Sequence, residues 1–183
     1  MAVAFGVACL LGTGPALADF GNATGPDTTI ADSAAKGDMA SINRAMLRGL
    51  SPDGTDVNGT PAIVLATQKG ETQTVEYLLA RGARPNSIDR TGNSALTTVA
   101  FNGDTAIAEV LLQGGANPDQ TGPDRDAPIL IATRQHRTGI VKVLIAYKAD
   151  LTETDLTGRT ALDIARERRF NDIVKLLEAA GAQ

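Results

Sequence analysis

The side chains that carry most catalytic and metal chemistry are scarce in this sequence. It contains one cysteine, Cys9, and one histidine, His136. Nucleophilic catalysis by Ser, Cys or Thr requires a neighbouring base such as histidine, and His136 falls at a turn between two predicted helices. Asp124 and Asp126 are close in sequence, but they fall in a predicted hairpin or loop, where such residues favour turns. We therefore predict a non-catalytic protein without a metal site or a cofactor.

Composition excludes several further classes. The chain has 183 residues, with 21 acidic and 17 basic side chains and a formal charge of −4. Nucleic-acid binders usually present a basic face, so we predict no nucleic-acid partner. One His and one Cys rule out zinc fingers and disulfide frameworks, and no glycine-rich phosphate loop is present. With 3% aromatics and no Trp, the core must consist of Ala, Leu, Ile and Val, which suits closely stacked helices.

The first eighteen residues have the pattern of a secretory signal peptide. An apolar run over 1–11 is followed by glycines, a proline and the sequence Ala-Leu-Ala at 16–18, which is typical of an apolar core and its cleavage site. The run is too short to span a bilayer. We predict cleavage after Ala18, a flexible lead-in over 19–27, and a periplasmic or secreted protein with no transmembrane segment. Because no Lys or Arg precedes Lys36, a cytoplasmic protein with an unprocessed leader is the alternative.

The remainder of the chain repeats itself every 33 residues. Two apolar columns show this period: Ile63, Leu96, Ile129 and Leu162, and Leu78, Leu111, Leu144 and Leu177. Apolar residues at three- and four-residue spacing predict helices with one buried face. A period of this length predicts a stack of similar units, because a single unit cannot bury its apolar face alone.

Helix boundaries are marked at equivalent places in the units. Ser94 and Thr160 precede short predicted helices, where a hydroxyl caps free backbone N–H groups, and Asp163 completes a capping box with Thr160. Left-handed residues after helices are expected at Gly82, Gly115 and Gly181.

The units resemble the ankyrin repeat family. The resemblance rests on Tyr77–Asn86 (YLLARGARPN) and Val110–Asp119 (VLLQGGANPD), and it covers nearly all of residues 28–183. It implies an all-α solenoid of five helix-turn-helix units with short hairpin or loop connections: 28–56, 57–89, 90–122, 123–155 and 156–183.

The sequence also departs from the pattern of the family. The Thr-Pro-Leu-His signature is never intact, since Thr60-Pro61 supplies only half of it, shifted by one residue. The glycine expected at the turn between the two helices, present as Gly70 and Gly103, is replaced by His136 and Arg169. If those turns keep a positive φ, a side chain there adds strain.

The resemblance implies a function in protein binding. Members commonly bind partners on the concave face, formed by hairpin tips and the first helix of each unit. Matched column by column, our predicted contact residues are Arg90, Asn93, Phe101, Asn102, Asp124, Asp126, Arg134, Gln135, Arg159 and Arg168. Arg and aromatic residues are enriched at the energetic centres of interfaces, so Phe101 is the foremost candidate.

We therefore predict a monomeric protein-interaction module that acts as a scaffold, inhibitor or protector of an unidentified protein partner in the periplasm or outside the cell. Two alternatives stay open. One is an immunity or antitoxin-like inhibitor, which predicts very tight binding of one partner. The other is a hydrolase or small-ligand binder that uses carboxylates on the concave face.

Overall fold

The computed structural model describes residues 29–182, so the predicted signal peptide over 1–18, with Cys9, and the predicted lead-in over 19–27 lie outside the described residues. Ten helices lie within this range: α1 (Ile30–Ala34), α2 (Met39–Leu47), α3 (Ala62–Lys69), α4 (Thr72–Ala80), α5 (Ala95–Asn102), α6 (Thr105–Gln113), α7 (Pro128–Arg134), α8 (Thr138–Ala146), α9 (Ala161–Glu167) and α10 (Asn171–Ala179). Each of the five predicted units contains one pair of consecutive helices.

The helices form two stacked layers. The first helices of the units, α1, α3, α5, α7 and α9, pack on one another in order, and α4, α6, α8 and α10 form the second layer. Each first helix also packs against the second helix of its own unit. This arrangement confirms the predicted all-α solenoid. None of these ten helices is both long enough and apolar enough to cross a membrane.

The core lies between the two layers and follows the repeat. Every residue of the two predicted apolar columns is at most 2% exposed. The gaps between these large side chains are filled by small ones, including Ala62, Ala95, Ala127 and Ala161, all fully buried. Alanine at these places lets neighbouring first helices approach closely, and burial of the Ile and Leu columns supplies the main stabilisation.

The predicted helix caps are confirmed. The Ser94 hydroxyl accepts a hydrogen bond from the backbone N–H of Thr97, and Thr160 with Asp163 forms a complete capping box. Gly82, Gly115 and Gly181 all have φ between 86° and 93°. These residues therefore end their helices in the left-handed conformation that the sequence predicted.

A ladder of side-chain hydrogen bonds, absent from the sequence predictions, fixes the spacing of the units. Its acceptors follow the helix pairs, and each accepts from the backbone N–H of the residue 31 positions later. The bonds are Asp53 Oδ1 to Arg84, Asn86 Oδ1 to Asn117 and Asp119 Oδ1 to Asp150, each 2.8 Å long. Such bonds satisfy loop N–H groups that no helix or strand pairs.

The turns at His136 and Arg169 keep a positive φ, of 53° and 59°, so the condition for strain at these side chains holds. The structure adds two positions that the sequence analysis did not identify as left-handed, Arg125 and Lys148, each with φ of 59°. Three of these four residues lie in the unit over 123–155. That unit therefore carries side chains at all three places where the unit over 90–122 has a left-handed glycine.

Candidate functional site

Four hairpins connect the units: the first over 55–61, the second over 88–94, the third over 121–127 and the fourth over 154–160. In the first, second and fourth hairpins, a single antiparallel bridge closes the turn, at Thr55–Pro61, Ile88–Ser94 and Thr154–Thr160. The third hairpin, which the structure describes in full, forms no such bridge.

An aspartate holds each of the three bridged hairpins. In the second hairpin, Asp89 Oδ1 accepts hydrogen bonds from the backbone N–H groups of Thr91 and Asn93, both 2.9 Å long. Asp56 and Asp155 bind the equivalent N–H groups of their own hairpins. These bonds to the ionised form lower the pKa of Asp56 and Asp155. For Asp155 the largest contribution is the hydrogen bond from the Thr157 hydroxyl.

The third hairpin has Gly122 where the others have this aspartate. It keeps the same two backbone bonds as the other hairpins, from the N–H of Gly122 to the Asp126 carbonyl and from the N–H of Arg125 to the Gly122 carbonyl, but it lacks their side-chain bonds to an aspartate. Asp124 and Asp126 lie in this hairpin, as predicted, and Asp124 is part of its turn. Their carboxylates accept none of the bonds of this turn, because the column that supplies the accepting aspartate in the other hairpins holds Gly122 here.

Beside the third hairpin lies an open groove of about 510 Å³. Its walls come from the hairpin itself, from α5 and α7, and from single residues of α3 and the second hairpin. The lining residues are Gln68, Asn93, Thr97, Thr98, Phe101, Asn102, Gly122, Pro123, Asp124, Asp126, Ile131, Arg134 and Gln135. We call this surface the groove below.

Asp126 and Arg134 form an ion pair in the groove wall. Both nitrogens of the guanidinium end of Arg134 donate to Asp126, one of them to Oδ1 at 2.8 Å. The Asp126 side chain is 8% exposed and that of Arg134 is 25% exposed. This two-point contact, together with the negative charge of Asp126, raises the pKa of Arg134. Asp126 is thus held beneath the surface, which corrects its expected place among exposed contact residues.

The ion pair continues into the last unit. Arg134 Nη2 lies 3.3 Å from Asp155 Oδ2, and Arg159 donates to the same oxygen and to Glu167. The Asp155 side chain is only 4% exposed. This chain of alternating charges fixes α7 and the third hairpin to the fourth hairpin and α9. Its charges are mutually satisfied, so it contributes shape to the groove more than free charge.

Phe101 is the large apolar side chain of the groove that remains exposed, at 56%. It lies in the last turn of α5, and its backbone carbonyl accepts a hydrogen bond from Arg137 Nε at 3.0 Å. Arg137 thereby caps the end of α5 from the next unit and holds this turn. The equivalent positions of the other units carry Gln68, Arg134 and Glu167, so an aromatic ring is presented here by one unit alone.

Seven of the ten predicted contact residues line the groove together: Asn93, Phe101, Asn102, Asp124, Asp126, Arg134 and Gln135. The other three, Arg90, Arg159 and Arg168, do not. Arg159 is bound by Asp155 and Glu167, and Arg168 Nη1 donates to the Arg134 carbonyl at 3.1 Å. Whether any of the ten contacts a partner stays a prediction.

Column matching missed part of the lining. Thr97, Thr98, Gly122, Pro123 and Ile131 also face the groove. A signal for two of them was present in the sequence, since Gly122 interrupts a column of aspartates and Pro123 follows it. Thr97 gave no such signal, because it lies on the buried face of α5. Thr98 precedes Phe101 and Asn102 by three and four residues, so helix spacing places it on the same face.

His136, the predicted surface histidine of a turn, lies between α7 and α8 with 48% of its side chain exposed. Its ring stacks on Phe170 at a centroid distance of 4.0 Å, and Nε2 lies 3.0 Å from Asp172 Oδ1. The Thr138 hydroxyl and then His136 lower the pKa of Asp172 to about 2. Over residues 29–182, no three His, Cys, Asp or Glu side chains are grouped to hold a metal ion.

Comparison with known proteins identifies the repeats. The family profile described as "Ankyrin repeats (3 copies)" matches residues 30–122 and again residues 99–183. Together the two matches include all ten helices. No curated protein sequence matches the chain.

Proposed function

Since the chain belongs to the ankyrin repeat family, whose repeats indicate a protein-protein interaction module, we propose that it binds a protein partner through the groove. The observation that carries this proposal is the exposed ring of Phe101 in a concavity of about 510 Å³. Interfaces centre on aromatic side chains set in such concave surroundings. Part of the groove wall is held in place by the Asp126–Arg134 ion pair, and a preformed wall limits the entropy lost on binding.

Other exposed apolar side chains offer weaker candidates. Leu47, Val57 and Leu156 are more exposed than Phe101, at 79%, 87% and 76%. Each lies in a different unit, and none lines the groove. Single apolar side chains on a surface are ordinary in soluble proteins. The groove differs because it combines an aromatic ring with a concave, partly polar wall.

The site of action forms a further part of the proposal. The leader pattern over 1–18 supports export, so we assign the partner to the periplasm or the exterior of the cell. Mass spectrometry of the protein isolated from its source should find Asp19 at the N-terminus. An intact Met1 would contradict export and favour a cytoplasmic adaptor. Within the exported compartment, the chain would act as a scaffold, an inhibitor or a protector of its partner.

Affinity capture tests the binding proposal. The chain is immobilised and exposed to native cell-envelope extract, and retained proteins are identified by mass spectrometry. Phe101→Glu is the test variant, and Leu47→Glu is the matched control, because it makes the same kind of change at an exposed side chain outside the groove. Circular dichroism confirms that both variants are folded.

A partner retained by the wild type and by Leu47→Glu, but not by Phe101→Glu, is the expected result. We expect the loss to exceed about tenfold in affinity, as for an aromatic residue at the centre of an interface. Equal retention by all three proteins would overturn the assignment of the groove. Retention of no protein, with saturable binding of a small molecule instead, would overturn the proposed function.

A further inference from the structure

The position of Asp124 is unusual within the repeat. The equivalent residues of the other hairpins each donate a side-chain hydrogen bond to the aspartate two residues earlier. These bonds are Asn58 Nδ2 to Asp56, Thr91 Oγ1 to Asp89 and Thr157 Oγ1 to Asp155, at 3.2, 2.6 and 2.6 Å. The residue in this column is therefore normally a donor that is used within its own hairpin.

In the third hairpin both members of that pair are changed. Gly122 removes the acceptor, and Asp124 replaces the donor with a carboxylate. Asp124 is exposed and lines the groove. Among residues 29–182 its carboxylate has no ion-pair partner. The change thus leaves a negative charge in the groove that the fold itself does not use.

The remaining charges of the groove wall cancel. Asp126 and Arg134 are the only other charged residues of the lining that the structure describes, and they bind each other through two bonds. Arg125 follows Asp124 at the hairpin tip but does not belong to the lining. Asp124 therefore carries the one charge of the lining that has no ion-pair partner within the described part of the chain, while Arg137 and Arg168 donate to the backbone carbonyls of Phe101 and Arg134 from outside the lining.

The other lining residues also suit a positively charged polypeptide. Phe101 offers an aromatic ring, whose face attracts ammonium and guanidinium groups. Four amide side chains, Gln68, Asn93, Asn102 and Gln135, supply both hydrogen-bond donors and acceptors. Amides of this kind suit the N–H and carbonyl groups of an extended polypeptide, which present donors and acceptors in alternation.

We propose that the groove binds an extended basic segment of the partner protein, with an Arg or Lys side chain placed between the Asp124 carboxylate and the Phe101 ring. This inference rests on the proposed function, since it specifies the chemistry of the partner at the same groove. The aliphatic stem of the basic side chain covers Phe101, and its charged end reaches Asp124.

Selection from a phage-displayed library of random dodecapeptides tests this inference. The full chain is the bait, and Phe101→Glu is used for counter-selection. We expect the selected peptides to be enriched in Arg or Lys next to an apolar residue. A synthetic consensus peptide with blocked termini should lose about threefold to tenfold in affinity on Asp124→Asn, as expected of a partly exposed charge pair. The affinity should also fall as ionic strength rises.

Reversal of the charge at position 124 tests the inference more directly. Selection on Asp124→Lys should return peptides with Glu or Asp in place of the basic residue. The matched control is Asp119→Asn, because the Asp119 carboxylate accepts the Asp150 N–H in a loop outside the groove. This variant should leave peptide affinity unchanged.

The outcomes separate this inference from the proposed function. Peptides that require Phe101 but show no basic preference, or that bind Asp124→Lys equally well, would overturn the basic-segment inference and leave protein binding at the groove intact. A library that returns no Phe101-dependent peptide would also overturn the inference. The capture experiment decides the proposed function independently, because it uses natural proteins and needs no extended segment.

Discussion

The unit over 90–122 and the unit over 123–155 have the same pair of helices and the same left-handed positions, but different side chains occupy those positions. At its three left-handed positions the first of these units has Gly92, Gly103 and Gly115, and the second has Arg125, His136 and Lys148. The first unit also begins its first helix with a capping serine, Ser94, where the second has Ala127, which makes no side-chain cap.

The difference shows which unit keeps the fold with less favourable residues at its turns. A non-glycine residue at positive φ is strained by roughly 1 kcal/mol or more, so the unit over 123–155 has the weaker local preference for its own conformation. The same unit carries the buried Asp126–Arg134 ion pair and one wall of the groove, whose other wall comes mainly from α5 of the unit over 90–122. Departures from local preference often mark functional sites, and here the unstrained unit provides the reference within one molecule.

The largest effect on stability is expected from loss of the Asp126–Arg134 ion pair in the unit over 123–155. In Arg134→Ala, Asp126 would keep a buried carboxylate without a cation, whereas Asp155 would still pair with Arg159. We expect the free energy of unfolding to fall by about 3 kcal/mol, as when one partner of a buried pair is deleted. Urea denaturation followed by circular dichroism measures the change.

The control for Arg134→Ala is Arg84→Ala. Arg84 also pairs with an aspartate, Asp53, but its side chain is 76% exposed, so a loss of less than about 1 kcal/mol is expected. Equal effects of the two variants would show that burial of the Asp126–Arg134 pair has no energetic consequence.

Exchange of side chains at one left-handed position tests the strain directly. Gly115 and Lys148 occupy equivalent positions. Apart from Gly115 and its two chain neighbours, no heavy atom of the described residues lies within 4 Å of a Cβ added at Gly115. Its conformation alone is therefore at issue. We expect Lys148→Gly to raise, and Gly115→Lys to lower, the free energy of unfolding by about 1 kcal/mol. Changes of the same sign in both variants would refute the strain argument.

The helix cap that distinguishes the two units gives a smaller effect. Ser94→Ala makes the unit over 90–122 resemble its neighbour, and we expect a loss of about 1 kcal/mol. Thr160→Ala removes the equivalent cap from the last unit, where Thr160 is only partly buried. Water can replace part of that cap, so its loss should be smaller. A larger effect at Thr160 would contradict this account of burial. Thermal unfolding of both variants measures the order.

Much of this architecture was predictable from the sequence because its signals recur. The two apolar columns, the caps at Ser94 and Thr160 and the glycine ends of the helices each follow from local rules. Repetition every 33 residues made each signal visible several times. The left-handed φ of Lys148 was missed because a lysine gives no local sign of it, although its column contains glycine at Gly82 and Gly115.

The groove was only partly predictable, since it depends on contacts between units. Asp126 and Arg134 are eight residues apart, and nothing local states that they pair or that Asp155 joins them. The pairing requires the third and fourth hairpins to fold against the same end of α7, which is a property of the tertiary structure. Column matching therefore identified the face, but it could not separate exposed Asp124 from buried Asp126.

The smallest effect on stability is expected at Asp172, which contacts the left-handed residue His136. Asp172 of the last unit accepts from the Thr138 hydroxyl at 2.5 Å and contacts His136 at 3.0 Å, and its pKa is lowered to about 2 from an ordinary 3.8. A carboxyl with a lowered pKa stabilises the fold fully above its ordinary pKa. That contribution disappears as pH falls through about 2.

Asp172→Asn should therefore be less stable than the wild type near neutral pH, by less than about 1 kcal/mol because the site is half exposed. The difference should shrink as pH falls from about 5 towards 2. Urea denaturation of both proteins across this range measures it, and Glu178→Gln controls for the loss of an exposed paired carboxylate. A difference that stays constant with pH would mean that Asp172 acts through its shape alone. The stacking of His136 on Phe170 would then be the main contact by which the unit over 123–155 offsets strain at this turn.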